Sequence, residues 1–301
     1  MEEFYLKSAC GSKLHCACWK PEGEIIAVVQ LIHGIAEHIG RYDHFARFLA
    51  EHGYLVVAED HMGHGGSMED VKGFFKGGWL TAVADVKLLR DHILEEYNLP
   101  YYMLGHSMGS FLLRTYLYTY PGSIDAAVIS GTGWEAPVKV SCGLAACKLE
   151  EKRLGETSVS PLLSSLMFGA YLKPFQPVRT KNDWICSVES VVDAYTEDPL
   201  CGFDPAIGLC RDMLTGIQMN EKKENLAAMK KDLPVLFVSG AKDPVGNMSK
   251  GVLACIDAFK RAGMKNVSIK IYPDGRHEML NESNKDEVYA DILAWLQSFV
   301  A

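Results

Sequence analysis

The sequence predicts an α/β protein, with a mostly parallel central sheet flanked by helices and interrupted by a helical insertion. Three observations predict it. Short apolar runs alternate with helical periodicity up to Gly131, the rhythm then stops, and it resumes at residue 233. Strands alternating with helices of ten to twenty residues make βαβ units, whose sheet is mainly parallel.

Taken in order, "KLHCACW" (13–19) and "EIIAVVQLIHG" (24–34) are β-rich runs, and this pair at the start fits an edge hairpin on the sheet. "GRYDHFARFLAEHG" (40–53) has apolar residues at helical spacing and stops at Gly53, a good C-cap residue. "YLVVAED" (54–60) is a short apolar run of the kind buried in a parallel sheet. A helix over 79–98, a strand over 101–105, a helix over 108–120 ended by Pro121, and a strand over 125–131 follow. From Trp134 to about Asp232 the stretches are helical or irregular, among them "PLLSSLMFGAYL" and "SVESVVDAYTED". "LPVLFVSG" (233–240) then restores the rhythm, before a helix over 249–263, the strand "NVSIKIYP" (266–273) and the final helix "DEVYADILAWLQSFV". The organisation expected is an α/β core in two parts, 1–133 and 233–301, around a helical cap insertion at 134–232.

Composition removes several function classes. A formal charge of −8 with no run of Lys and Arg argues against nucleic acid as a partner. The opening "MEEFYLKSACGSKLHC" is acidic at once and has no apolar signal region, and no apolar run approaches the ~20 residues of a membrane span. Nine Cys, an odd number without a CxxC pair, read as free and mostly buried thiols in a reducing cytoplasm. No cofactor is called for, and nothing in the sequence selects an oligomeric state.

The chemistry centres on "YYMLGHSMGSFLL" (101–113). A G-x-S-x-G match alone arises by chance in roughly one such chain in six to seven, so its surroundings must decide. Ser107 stands where an apolar strand ends and a helix begins. A tight turn there pushes the hydroxyl out of the sheet, flanking glycines let the turn close, and the helix N-terminus offers N–H groups to an anion. A Ser hydroxyl is too basic to attack unaided and needs a base and an orienting acid. Nine of the ten His lie at or before position 106, so His277 alone follows the nucleophile. It falls in "YPDGRHEML", just past the last apolar strand run, where open α/β sheets place their chemistry. Of ten Asp between Ser107 and His277, only Asp243 follows directly on a buried-looking strand, in "LPVLFVSGAKDPV". The oxyanion needs two N–H groups. Met108, the residue after the nucleophile, offers one, and Ile35, just past Gly34 in "LIHGIAEH", offers the other.

Together "HGIAEHIGRYDHFARFLAEHGYLVVAEDHMGHGGS", "GHSMGS", "SGAKDPVG" and "DGRHEMLNE" resemble the monoacylglycerol lipase and lysophospholipase branch of the α/β-hydrolases, the serine aminopeptidase-like group. Residues 179–203 are similar to the cap segment of its bacterial members. The resemblance implies Ser107, Asp243 and His277 as the triad, and the Ile35 and Met108 amides as the oxyanion hole. It also implies monoacyl lipids, monoacylglycerol or lysophospholipid, as substrates. A short-chain esterase and an amidase or peptidase use the same triad, with Glu37, Glu135 or Glu189 as candidates to hold a free amine. A catalytically silent binding protein on this fold is the alternative of another class.

Other features have plainer readings. His33, His38, His44, His61 and His64 invite a metal, and His61 and His64 have an i, i+3 spacing, but no nearby carboxylate or Cys set completes their ligand shell, so no metal is expected. "PLLSSLMFGAYL" either lines an acyl pocket or packs cap on core, is too short to span a membrane, and leaves open a transient contact of the cap with a membrane surface.

Overall fold

Runs such as AVVQLI and YYMLGH leave no polar face, so their strands need cover on both sides. A computed structural model describes residues 1–300 and shows that cover. One sheet holds eight strands: β1 (Glu2–Lys7), β2 (Lys13–Trp19), β3 (Ala27–Ile32), β4 (Tyr54–Glu59), β5 (Tyr101–His106), β6 (Ala126–Ser130), β7 (Val235–Gly240) and β8 (Val267–Tyr272). Their order across the sheet is β1-β2-β4-β3-β5-β6-β7-β8. The pairings of β2 with β1 and with β4 are antiparallel, and all the others are parallel.

The helices are α1 (Asp43–Glu51), α2 (Trp79–Glu96), α3 (Met108–Thr119), α4 (Pro137–Leu154), α5 (Pro161–Phe168), α6 (Glu189–Glu197), α7 (Ile207–Asn220), α8 (Lys223–Ala228), α9 (Lys250–Arg261) and α10 (Lys285–Gln297). Val28, Tyr101, Met103 and Phe237 face one apolar layer with Val86 of α2, Leu112 of α3 and Phe259 of α9. Val29, Tyr102, Leu104 and Val238 face the other with Phe45 of α1 and Ile292 of α10. The period-2 alternation of a strand thus feeds two cores, and each large apolar side chain fully buried there contributes about 1.5–3 kcal/mol.

The sheet confirms the predicted fold class and corrects one detail. The edge hairpin is β1 with β2, not 13–19 with 24–34, for β3 lies inside the sheet between β4 and β5. Gly53, at φ +88°, ends the α1 segment as expected. Between β6 and β7 the chain forms α4 to α8, of which α7 and α8 pack on α3. Because the inner strands are parallel, the segments after β3, β5, β7 and β8 all emerge at one edge of the sheet, the edge where such folds bind ligands.

Candidate active site

Ser107 joins β5 directly to α3 with φ +54° and ψ −121°. A non-glycine residue there costs about 1–3 kcal/mol and persists only where the surroundings hold it. They do so through the backbone. The Ser107 N–H donates to the Ser130 carbonyl at 3.0 Å, and the Ser110 hydroxyl donates to the Ser107 carbonyl at 2.6 Å. The glycines are required by close approach. A Cβ on Gly109 would lie 2.0 Å from the Ile32 carbonyl oxygen, and one on Gly105 would lie 2.4 Å from the Gly109 carbonyl oxygen. Removing two side chains lets α3 start flush against the end of β3.

Asp243 and His277 come from the loops after β7 and β8, and those loops are fastened together. Lys242 N–H donates to the Gly275 carbonyl at 2.9 Å, and a Cβ on Gly240 would lie 2.1 Å from that same oxygen. His277 Nδ1 lies 3.0 Å from Asp243 Oδ2, and Asp243 Oδ1 accepts the Val245 N–H at 2.8 Å. With Nδ1 donating to the carboxylate, Nε2 is left as the basic nitrogen. Burial opposes protonation of His277, but Asp243, helped by Glu278 and Glu37, outweighs it and raises the pKa above the ordinary 6.5. The imidazole lies between two rings, Trp184 at 5.0 Å and His106 at 4.7 Å. Burial pushes the His106 pKa down to about 4, so this neighbour stays neutral.

The loop after β3 is the third piece. A Cβ on Gly34 would lie 3.0 Å from the Ser107 Cβ, so the Gly34–Ile35 backbone borders the serine. Met108 is the first residue of α3, where helical N–H groups have no intrahelical acceptor. Glu37 holds the loop: its Oε1 accepts from Gly34 N–H at 2.6 Å and Tyr42 Oη at 2.8 Å, and its Oε2 accepts from Arg41 at 2.6 Å. Arg41 also donates two 2.6 Å bonds to Glu278, the residue after His277. Burial opposes the charge on Glu37, yet Arg41 and these donors bring its pKa below the usual carboxylate value. A buried Glu37–Arg41–Glu278 triplet therefore connects the loop after β3 to the loop after β8. From the sequence alone Glu37 is a candidate only to hold an amine. The i, i+4 spacing of Glu37 and Arg41 was the available signal, whereas Glu278 is 237 positions from Arg41.

The early histidines are engaged locally. His15 Nδ1 lies 2.8 Å from Asp60 Oδ2, which also accepts the Gly66 N–H, and His33 Nε2 accepts the His61 N–H at 2.9 Å. Burial drives the pKa of His33 and His61 well below 6.5 and that of His64 to about 4. His38, Asp198 and Cys201 are the His, Cys or acidic group whose donor atoms converge, within 4.8 Å, among the described residues. His38 Nδ1 accepts the Gly40 N–H, so the ring proton sits on Nε2 and points at Asp198, 2.9 Å away. His38 and Asp198 thus form a hydrogen-bonded tie. It joins the loop after β3 to the chain following α6, and from α6 and that chain Tyr195 Oη and Gly202 N–H both donate to the Ala36 carbonyl at 2.9 Å.

Ser107, His277 and Ile35 open on a common cavity of about 220 Å³. Glu37, Asn182, Tyr195 and Glu278 give it a polar side, while Phe168, Leu172, Trp184 and Ile185 give it an apolar one. No helix among the described residues is long and apolar enough to cross a membrane.

The family model "Serine aminopeptidase, S33" matches residues 23–284. The monoacylglycerol lipase of Mycolicibacterium smegmatis is 33% identical over 93% of this chain and 91% of its own length. Human monoglyceride lipase is 28% identical over 99% of this chain and 91% of its own. A thermostable carboxyl esterase from Bacillus coagulans, solved with glycerol, superposes with a TM-score of 0.91 at 27% identity, covering 100% of this chain and 99% of that one. The chain is an α/β-hydrolase and belongs to the serine aminopeptidase S33 family, similar over nearly its whole length to monoacylglycerol lipases.

Proposed function

We propose that this hydrolase cleaves carboxylic esters of monoacyl lipids, monoacylglycerol or lysophospholipid, through an acyl-enzyme on Ser107. The observation that carries the reading is the His277–Asp243 pair at 3.0 Å, opening on the same cavity as a strained, helix-capping serine. His277 Nε2 takes the Ser107 proton as Oγ bonds to the ester carbonyl carbon. The carbonyl oxygen becomes an oxyanion held by the Ile35 and Met108 amides. Collapse breaks the carbon–oxygen ester bond, and the alcohol leaves with the proton from His277. Water, deprotonated by the same nitrogen, then attacks the acyl-enzyme and releases the acid and Ser107.

Residues 134–232 act as the cap in this reading. Within it α7 and α8 lie on α3, and residues of α5, of α6 and of the chain between them line the site cavity. The polar side of the cavity suits a hydroxylated head group and the apolar side the start of an acyl chain. The relatives named monoacylglycerol lipases support the same substrate class. Val138 and Leu149 of α4 and Leu162 of α5, 72%, 64% and 49% exposed, offer a transient contact with a lipid surface. Nine free cysteines suit a cytoplasmic location.

An amidase or peptidase needing an acidic amine pocket is less well supported. Glu37 alone of the three candidates lines the cavity, and its oxygens are engaged by Gly34, Tyr42 and Arg41. Glu135 pairs with Lys139, and Glu189 is near Arg179 on the surface. Initial rates on p-nitrophenyl esters from acetyl to palmitoyl test the proposal, with Ser107→Ala as control. Rates rising to medium or long chains and lost in the control support it, whereas activity confined to acetyl and butyryl esters removes the lipid substrate. A fluorophosphonate probe that leaves Ser107 unlabelled would turn the reading toward a silent binding protein.

A further inference from the structure

We infer that Phe168 sets the acyl-chain length this enzyme accepts, by closing a second, apolar cavity off from the catalytic one; the inference rests on the ester-hydrolase reading above. The second cavity measures about 270 Å³ and lies between α4, α5 and α7. Val140, Leu163, Met167, Met213 and Ile217 give it an apolar wall. Its charged wall residues, Glu135 and Lys139, pair with each other at 2.8 Å. Helix α5 is the partition. Ser164 and Ser165 face the catalytic cavity, Leu163, Leu166 and Met167 face the second, and Phe168 is the one residue that borders both.

Phe168 is also the outer end of an aromatic series that reaches the catalytic centre. Its ring lies 6.1 Å from Tyr171, Tyr171 lies 4.9 Å from Trp184, and Trp184 lies 5.0 Å from His277. Tyr171 belongs to the wall of the second cavity and Trp184 to that of the first. An acyl chain extending from Ser107 along the apolar side therefore meets Phe168 before it meets open volume. The catalytic cavity alone falls below the roughly 300–1,000 Å³ of small-molecule sites, and the two joined fall within it. Short acyl groups fit with Phe168 in place. Longer ones require its ring, at the last position of α5 and half-buried, to swing aside and admit the tail among Met167, Met213 and Ile217.

The test is the ratio of kcat/KM for dodecanoyl over butyryl p-nitrophenyl ester. Phe168→Ala should raise it at least about tenfold, the size of effect one or a few methylenes produce in an apolar pocket. Phe168→Trp should lower it, and Met213→Trp, filling the second cavity from α7, should lower it as well. Calorimetry of dodecanoate binding to the Ser107→Ala protein reads the cavity without turnover, and Met213→Trp in that background should weaken binding at least about tenfold. A Phe168→Ala protein that melts like wild type and keeps the ratio within twofold overturns the inference. If Phe168→Ala does not fold, an unmoved ratio in both Trp variants overturns it equally. Should wild type cleave no ester while Met213→Trp still weakens dodecanoate binding, the esterase reading fails and the tail site stands. Cleavage of butyryl ester with neither readout moving has the opposite meaning.

Discussion

Around Ser107, Asp243 and His277 close backbone approaches and buried polar groups hold the geometry, whereas α4 and α5 leave Val138, Leu149 and Leu162 about half exposed or more. The first region is over-determined. Gly105 and Gly109 remove side chains where α3 meets β3, Gly240 removes one where the loops after β7 and β8 touch, and Arg41 ties the loop after β3 to the loop after β8 by charge. The second region is held by side-chain packing on a short helix, and its borders are single residues such as Phe168. The difference teaches where each property resides. In the proposed mechanism the chemistry sits where close backbone approach and buried charge fix the geometry, and selectivity where side chains pack.

The largest expected effect tests the first half of that contrast. Asp243→Asn should lower kcat/KM by about 10⁴-fold, because an amide presents the wrong partner to His277 Nδ1 and disfavours the tautomer with Nε2 basic. Ser107→Ala should lower it at least as far. Both proteins should keep the wild-type melting transition within a few degrees. A Ser107→Ala protein that retains a tenth of the activity would remove Ser107 from the mechanism.

Next comes the ion triplet, where the expected loss is in stability. Arg41→Met leaves the Glu37 and Glu278 carboxylates buried without their cation, which costs about 3–5 kcal/mol. Urea unfolding should show a loss of that size, and Arg41→Lys a smaller one, since an ammonium does not reproduce the two parallel bonds to Glu278. A loss below about 1 kcal/mol in Arg41→Met would mean that the triplet is not what braces the oxyanion loop.

The pH profile follows. In the proposed mechanism neutral His277 is the base, and Asp243 with its acidic neighbours outweighs burial and raises its pKa above 6.5. The activity is therefore complete above that pKa and lost as pH falls through it, one decade per pH unit. At pH 5 kcat/KM for a soluble ester should be less than about a thirtieth of its plateau. A profile flat from pH 5 to 8 would exclude His277 as the base. Asp243→Asn should shift the limb to lower pH as well as lower the plateau.

How far the sequence foretold these regions follows the same contrast. The strand–serine–helix elbow was legible because glycines at 105 and 109 are a backbone necessity, and His277 was legible because no other His follows the nucleophile. Asp243 was legible from its place after a buried strand. β1 was not, because EEFYLK is a half-exposed edge strand whose charges hide its alternation. Nor was the pairing of Arg41 with Glu278, or the contact of the Trp184 ring with His277, for both join segments far apart in the chain. Local rules reach residues that the backbone constrains. They do not reach contacts made by side chains across the fold.

The smallest expected effect tests the exposed wall itself. Val138 and Leu149 are 72% and 64% exposed on α4 and border neither cavity. Val138→Ser and Leu149→Ser together should leave stability within about 0.5 kcal/mol per site, as for surface positions generally, and leave kcat/KM for butyryl ester within twofold. On monoacylglycerol presented in vesicles the same pair should lower the rate several-fold, because less apolar area is available to insert at the interface. The soluble rate serves as the internal control, so a drop on both substrates would point to damage in the helical wall. An equal rate on vesicles would instead leave these side chains without a part in lipid contact. That would confine recognition of the substrate to the two cavities on either side of α5.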